Sequence, residues 1–300
     1  MIKPSLPVLA ALTLCLAVLG NAQAVPVGNA QADSSCQLIS IKAGSNGDIG
    51  PSGVNNSDTV VGTFLTTSIA FHGFRWTDGN GSLYDFPDAT ETFLGGINDL
   101  GITTGTSEHA DGSSSGFLLM GGGQTQEFTV SGAFTTQAAG INNLGVVVGS
   151  YGTFEAGPVI GFVKQGSTYT DIQFPGAAST FPYSINDSGV IAGTYSDGST
   201  NHGFVYINGQ YMTLDVPGSS ETEAKGINNS GTVVGEFRQN AQAEGKGFTY
   251  SSGKFTTFMY PTSTYTELDG INNAGDRLGS SITSDIGGFL SGPAFLLKCQ

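Results

Sequence analysis

One carboxylate stands at a repeated position that otherwise carries a hydroxyl group. Glu236 follows Gly235. The equivalent positions carry Thr63, Thr106, Ser150, Thr194 and Ser280. A carboxylate in a cleft can transfer protons, but acid–base chemistry normally needs a second group beside it. The sequence identifies no partner, so Glu236 is a candidate site residue without a predicted catalytic role.

Three further polar residues could bind a ligand or a metal ion. His72 and His202 share one repeat position, directly before a Gly-Phe pair, which favours a structural hydrogen bond over a role as ligand. Asp197 begins the segment Asp197–Asn201, whose carboxylate and carbonyl oxygens could hold Ca²⁺. That segment lacks the full ligand pattern, so a solvated surface loop is the favoured interpretation.

Known catalytic and cofactor motifs are absent from the sequence. It contains no zinc-binding pattern, no catalytic serine motif in a strand-turn-helix context, and no glycine-rich phosphate loop that leads into a helix. We therefore predict no catalytic, cofactor-binding or metal-binding residues, and Ca²⁺ remains the open alternative for a cofactor.

These candidates lie in a sequence that repeats six times. The clearest copy is Gly226–Phe237, and its first Asn recurs every 42 to 44 residues. The six positions are Asn55, Asn98, Asn142, Asn186, Asn228 and Asn272. Each copy continues to a Gly-Phe pair, at residues 73–74, 116–117, 161–162, 203–204, 247–248 and 288–289. Recurrence at this many positions, in a constant order, indicates a repeat architecture.

Each repeat contains four short runs rich in β-branched and aromatic residues, separated by turns such as Asn208-Gly209. This pattern predicts an all-β, six-bladed β-propeller with four antiparallel strands per blade, and an open β-solenoid is the alternative. We predict that the run from Val190 is innermost, because its side chains are small. The Asn turns and the Asn-Gly hairpins would then share one face. The Asn pairs are interpreted as turn residues rather than as a site.

The two ends of the chain are predicted to meet within one blade. The run Gln37–Gly44 supplies a strand that the last copy lacks, since that copy stops at Ala294–Lys298. Cys36 and Cys299 are then placed to form a disulfide, as expected of an exported protein. The predicted domains are a signal peptide at 1–24, a short linker at 25–35 and one propeller domain at 36–300.

The first residues have the pattern of a secretory signal. Lys3 is followed by an apolar run, Leu6–Leu19, and by small residues at Ala22–Ala24. A second such site, Ala30–Ala32, leaves the cleavage point open. No other apolar run is long enough to span a membrane. The balance of 10 basic against 24 acidic residues argues against nucleic acid or anionic lipid as a partner. We expect a secreted monomer, with the periplasm or the cell surface as alternatives.

The repeat resembles the HAF-type extracellular repeat of exported bacterial proteins. The resemblance rests on Gly-Ile-Asn-Asn-x-Gly-x-Val-Val-Gly, on His202–Tyr206 and on Leu214–Gly218, and it covers roughly residues 38–298. The His-Ala-Phe of that family is His-Gly-Phe here, in two copies only. The resemblance implies export and a propeller fold, and no functional residues follow from it.

Two functions fit these observations. Regular blades without a catalytic constellation favour a secreted, non-catalytic propeller that has a structural role or binds a protein or a glycan through one face. The alternative is an extracellular hydrolase or lyase that acts on a carbohydrate or a lactone, with Ca²⁺ as an optional cofactor, because one fold can host many functions. Several carboxylates converging on the axis would favour the enzyme.

Overall fold

The computed structural model describes residues 29–30, 36–42, 47–153, 157–240, 244–261, 263–282, 284–286 and 289–299. The predicted signal peptide and most of the predicted linker lie outside these residues. Within the linker, Asn29–Ala30 forms a short strand, β1. The only helical segment of the described chain is the 3-10 turn Gly121–Gly123. The described residues therefore contain no helix that is long and apolar enough to cross a membrane.

Short antiparallel strands make up nearly all of the described chain, because its β-branched and aromatic runs are interrupted by tight turns. Consecutive strands pair as four-stranded meanders. Their strands are β3 (Gly47–Val54), β4 (Val60–Thr66), β5 (Phe71–Thr77) and β6 (Asn80–Tyr84); β7 (Glu91–Ile97), β8 (Thr103–Glu108), β9 (Ser114–Leu119) and β10 (Thr125–Phe128); β11 (Thr135–Ile141), β12 (Val147–Gly152), β13 (Ile160–Gln165) and β14 (Thr168–Ile172); β15 (Ser179–Ile185), β16 (Ile191–Ser196), β17 (Asn201–Ile207) and β18 (Gln210–Thr213); and β19 (Glu221–Ile227), β20 (Val233–Arg238), β21 (Lys246–Ser251) and β22 (Lys254–Phe258).

A further meander combines both ends of the chain. It contains β23 (Tyr265–Ile271), β24 (Arg277–Ile282), β27 (Ala294–Cys299) and, at its outer edge, β2 (Cys36–Ile41). The small hairpin of β25 (Ser284–Ile286) and β26 (Phe289–Ser291) lies between β24 and β27 in sequence, and β1 pairs in parallel with β22.

The prediction of an all-β propeller is confirmed. The first strands of the meanders contact one another in cyclic order, from β3 through β7, β11, β15, β19 and β23 back to β3. The blade number of six stays a prediction, since a parallel bridge between Ser114 and Thr135 joins two meanders into one eight-stranded sheet.

The predicted innermost strand is wrong by one position. The run from Val190 forms β16, which lies second in its sheet, whereas β15 is the strand nearest the axis. Small residues that precede the repeated Ile allow the inner strands to approach closely. A Cβ atom added to Gly53 would lie 3.0 Å from the carbonyl oxygen of Gly95 on the next inner strand. The predicted faces hold, because antiparallel pairing puts the Asn turns and the Asn-Gly hairpins on the same side.

The core lies between neighbouring meanders and is centred on the repeated Phe. Phe74, Phe117, Phe162, Phe204 and Phe248 have no exposed surface. In the last meander the predicted pair at residues 288–289 is not the equivalent one. Phe295 pairs there with Gly279, as Phe248 pairs with Gly235, and it is also fully buried. The hairpin β25–β26 is an insertion before this position, which explains the error.

The first Asn of each pair is a buried turn residue, as predicted. In Asn142, Oδ1 accepts hydrogen bonds from the backbone N–H groups of Leu144 and Val146, both at 3.0 Å. Its Nδ2 donates to the carbonyl oxygen of Asn186 at 3.0 Å. The other five Asn residues donate in the same way, at 3.1 to 3.2 Å, and Asn272 donates back to Asn55. The side chains therefore form a closed ring of hydrogen bonds.

The predicted disulfide is confirmed. Cys36 and Cys299 face each other in the pairing of β2 with β27, and their sulfur atoms are bonded. The bond links residues 263 positions apart in sequence. It therefore joins the first and last strands of the ring within one sheet.

We expect Asn142→Ala to lower the free energy of unfolding by about 3 kcal/mol, because two partly buried N–H groups and one buried carbonyl group lose their partner. Urea denaturation measures this change. Leu144→Ala is the matched control, since Leu144 lies in the same turn and its side chain is exposed, and its loss should stay below about 1 kcal/mol. An equal loss of unfolding free energy in both variants would show that the Asn142 hydrogen bonds do not contribute more to stability than the control side chain does.

Replacement of both cysteines, as Cys36→Ser with Cys299→Ser, should lower the free energy of unfolding by roughly 5 kcal/mol. The physical reason is the larger entropy of the open unfolded chain. The measurement is urea denaturation of the variant, compared with wild type before and after reduction. A loss below about 1 kcal/mol would mean that strand pairing alone holds the ends together.

Candidate functional site in the central channel

Alternate residues of the innermost strands face the axis of the propeller. Successive side chains of a strand point to opposite faces. In β19 and β23, Ala224 and Leu268 are buried in the core, so the residues on either side of them face the channel. The channel positions lie three, five and seven residues before the repeated Asn. In this order they are Ser52, Gly95, Ala139, Tyr183, Lys225 and Asp269; Gly50, Phe93, Gln137, Phe181, Glu223 and Glu267; and Asp48, Glu91, Thr135, Ser179, Glu221 and Tyr265.

The channel wall departs strongly from the symmetry of the repeat. Strands β19 and β23 carry a charged or phenolic side chain at all three of their channel positions, whereas β11 carries none. Glu236, on the second strand of its meander, joins them from the side. We call the following set the channel cluster: Glu223, Lys225, Glu236, Tyr265, Glu267 and Asp269.

Lys225 is the positive centre of the channel cluster. Its Nζ donates a short hydrogen bond to Glu267 Oε2 and lies 3.5 Å from both Asp269 Oδ1 and Glu236 Oε1. The Lys225 side chain is 19 % exposed. One ammonium group thus contacts three carboxylates, two from β23 and one from β20.

Tyr265 links two of these carboxylates. Its hydroxyl group donates to Glu236 Oε2 at 2.5 Å and lies 3.4 Å from Glu267 Oε2. The other oxygen of Glu267 accepts a hydrogen bond from Ser280 Oγ at 2.7 Å. Arg238 stacks on the Tyr265 ring from outside, with its guanidinium carbon 5.6 Å from the ring centre.

The environment separates the protonation behaviour of the two glutamates that flank Tyr265. Burial raises the pKa of Glu236, and Lys225 only partly offsets this effect. Burial acts in the same sense on Glu267, but Lys225 and the hydrogen bonds from Ser280 and Tyr265 outweigh it, so the pKa of Glu267 is lowered. Opposite shifts of this kind make Glu236 the carboxyl group that binds a proton more readily and Glu267 the one that ionises more readily.

Burial and the nearby negative charges also act on other side chains of the channel. Burial and the neighbouring Glu267 raise the pKa of Asp269 well above its ordinary value. Burial disfavours the charged form of Lys225, but the surrounding carboxylates raise its pKa well above normal. Burial raises the pKa of Tyr183 to about 12, and Glu223 adds to the effect.

Asp269 has an unused hydrogen-bonding atom. Its Oδ2 is buried and has no hydrogen-bond partner among the described residues, and the side chain is only 10 % exposed. Asp269 also lines a cavity that opens on the face of the Asn turns, together with Tyr183 and Lys225. A ligand that enters this cavity could therefore supply the missing partner.

Of the residues predicted from sequence, only Glu236 belongs to the channel cluster. Its partners are Lys225 and Tyr265, which the sequence did not identify. Glu236 lies on β20, the second strand of its meander, and not on an innermost strand. Gly235 precedes it because a Cβ atom there would lie 1.9 Å from the carbonyl oxygen of Glu223.

His72, His202 and Asp197 lie outside the channel cluster. His202 Nδ1 lies 2.8 Å from Asp215 Oδ2, and His72 Nδ1 lies 2.7 Å from Asp85 Oδ1, so both histidines form local pairs. Asp197 Oδ1 accepts hydrogen bonds from the backbone N–H groups of Ser199 and Thr200. This carboxylate therefore stabilises its own turn. In the described part of the chain, no three His, Cys, Asp or Glu side chains are grouped so that they could hold a metal ion.

The sequence did contain a signal for the missed residues. Positions five and three before the repeated Asn vary between copies, while the residue between them is apolar or small. Lys225, Glu267 and Asp269 stand at these variable positions. Variation inside a regular strand pattern is what a channel wall with a specific site requires, since packing does not constrain it.

Neither a family model nor a curated protein matches this chain. Among solved structures, a streptogramin B lyase aligns with a TM-score of 0.52 and 13 % identity, over 90 % of this chain and 100 % of that one. A virginiamycin B lyase from Staphylococcus aureus aligns with a TM-score of 0.47 and 17 % identity, over 86 % and 87 %. A fucose-specific lectin from Aleuria aurantia aligns with a TM-score of 0.49 and 10 % identity, over 84 % of this chain and 96 % of that one. At these identities, the likeness concerns the fold alone.

We expect Lys225→Met to lower the free energy of unfolding by about 3 to 5 kcal/mol at neutral pH, because it leaves buried carboxylates without their counter-charge. In wild type the lowered pKa of Glu267 stabilises the fold above the pKa of an unfolded glutamate, and this contribution is lost as the pH falls through the folded pKa. Without Lys225 the pKa of Glu267 should be raised, so stability should be lost as the pH rises.

Urea denaturation near neutrality and at about pH 4.5 tests this reversal. The deficit of Lys225→Met should shrink at the lower pH, where the carboxyl groups take up protons. Lys254→Met, at an exposed position of β22, should show almost no deficit at either pH. A deficit that is equal at both pH values would contradict the charge explanation.

Proposed function

We propose that this protein is an exported, six-bladed β-propeller that binds a glycan at its central channel and has no catalytic role. The observation that carries the proposal is the channel cluster. It breaks the repeat symmetry on one side of the channel, next to a cavity with an unsatisfied carboxylate oxygen. A purely structural ring would not need buried charges at these positions.

The proposed blade number rests on the closed ring of Asn side chains. Each of the six donates to the next around the axis, and each stands in one four-stranded meander. The bridge that merges two meanders involves a single residue pair. A blade number of six therefore agrees with both the repeat and the hydrogen bonds.

Export is proposed from the signal-like first residues and the disulfide, which is typical of proteins outside the reducing cytoplasm. The HAF-type repeat remains a proposed relationship that agrees with export. We also propose that the chain acts as a monomer, and that no Ca²⁺ is needed, since Asp197 is already used within its turn.

A glycan suits the chemistry of the channel wall. The cluster offers carboxylate, phenol and ammonium groups that can accept or donate hydrogen bonds to sugar hydroxyl groups. Phe181, on the inner strand next to β19, and Phe93, on the opposite part of the wall, stand at channel positions and offer apolar faces to the ring of a sugar. Sites with a few convergent polar groups and aromatic walls are typical of small-molecule binding. A protein ligand is the weaker alternative, because the distinctive residues lie inside the channel.

One observation favours a second candidate, a hydrolase or lyase that acts on a carbohydrate or a lactone. Glu236 and Glu267 flank the hydroxyl group of Tyr265 and have pKa shifts in opposite directions. Paired carboxyl groups, one protonated and one ionised, are what glycoside cleavage uses. The solved lyases add only the fold to this argument.

We expect wild type to bind at least one oligosaccharide on an array of neutral, acidic and amino glycans. Glu267→Gln should weaken binding to that glycan at least about tenfold in titration calorimetry, because it removes a charged acceptor from the channel. Glu127→Gln, on the exposed edge strand β10, is the matched control and should bind as wild type does.

The same samples distinguish the two candidates. Mass spectrometry of the bound glycan after long incubation should show an unchanged ligand. A shortened or unsaturated product that forms with wild type and not with Glu236→Gln would replace the binding function by the enzymatic one. Absence of any glycan that binds in a Glu267-dependent way would overturn the proposed function.

A further inference from the structure

The channel positions carry a strong excess of negative charge. Six of them are acidic: Asp48, Glu91, Glu221, Glu223, Glu267 and Asp269. Lys225 is the only basic residue at these positions. Glu236 adds a further carboxylate from the side. Arg238 lies at the edge of this set, with its Nε 3.8 Å from Glu221 Oε2. Two basic side chains therefore face a larger number of carboxylates in a partly buried space, where charges interact more strongly than in water.

The contacts of Lys225 leave part of this charge without a partner. Lys225 engages Glu267 Oε2, Asp269 Oδ1 and Glu236 Oε1. Glu223 is held by Asn201, whose Nδ2 donates to its Oε1 at 2.9 Å. Asp269 Oδ2 remains buried without a hydrogen-bond partner among the described residues.

A carboxyl oxygen without a partner, on a side chain that is nine-tenths buried, is costly. This cost is one reason why the pKa of Asp269 is raised, and a bound cation would favour the ionised form. The cost would be offset by a ligand group that donates hydrogen bonds, and a cation does so most strongly. The cavity on the Asn-turn face reaches Asp269 directly, so such a group has a route to it. Anionic ligands are disfavoured by the same carboxylates.

We infer that the ligand of this channel is a glycan that carries protonated primary amines, with one ammonium group bound at Asp269 Oδ2 beside Lys225. This inference rests on the proposed glycan-binding function and specifies its ligand class. Lys225 sets the geometry, because its Nζ lies 3.5 Å from Asp269 Oδ1 and leaves Oδ2 without a partner. The remaining carboxylates of the channel attract the cationic ligand over a longer range, and this attraction weakens with added salt.

The test compares two tetrasaccharides that differ only in charge: the β-1,4-linked tetramer of glucosamine and its fully N-acetylated form. Titration calorimetry of the full protein near neutral pH measures both affinities. We expect the amine form to bind at least about tenfold more tightly than the acetylated form, and to lose affinity as salt is added. Asp269→Asn keeps the shape of the side chain and should remove the preference, whereas Glu127→Gln should keep it.

The outcomes distinguish the preference for an amine from the proposed glycan-binding function. Equal binding of the two tetramers, or tighter binding of the acetylated one, overturns the amine inference and leaves glycan binding in place. The inference is also overturned if Asp269→Asn keeps the full preference while its urea denaturation matches that of wild type. If neither tetramer binds, and no glycan on the array binds in a Glu267-dependent way, the proposed glycan-binding function is overturned as well.

Discussion

The closure of this propeller around its axis depends on the buried amide of the repeated Asn. One side chain satisfies two backbone N–H groups of its own turn and one carbonyl oxygen of the next turn around the axis. An aliphatic residue could do neither, and two partly buried N–H groups and one buried carbonyl group would then lose their partner. The amide therefore couples local turn geometry to the closure of the ring. The near-constant spacing of the repeat follows from this double role.

Ring closure is reinforced at the outside by covalent chemistry. The sheet that contains β2 and β27 uses strands from opposite ends of the chain, so it forms only when the whole ring is assembled. The disulfide between Cys36 and Cys299 fixes that pairing. A rigid ring in turn holds the innermost strands at fixed positions, and a site built across two of them needs this precision.

Burial of the channel cluster costs desolvation free energy. Lys225, Glu236, Glu267 and Asp269 all lose most of their hydration, and well-packed apolar residues at such positions are often at least as stable. The ring does not need them, because β11 closes its part of the wall with Ala139, Gln137 and Thr135. Charge retained at a position that packing leaves free is consistent with a role in binding. Burial raises the pKa of Glu236, whereas Lys225 and the hydrogen bonds from Ser280 and Tyr265 lower the pKa of Glu267.

The repeat, the turns, the pairing of Cys36 with Cys299 and the all-β propeller can be predicted from the amino-acid sequence, because each depends on local turn chemistry or on one period along the chain. The repeat also identifies Glu236 as an exception. That β15, and not β16, lies nearest the axis became clear only from the packing of the meanders, since β15 and β16 both contain small residues. It alone brought Lys225 to Glu267 and Asp269, more than forty positions away on another strand. Those contacts exist only once neighbouring meanders pack around a common axis, so no local pattern could reveal them.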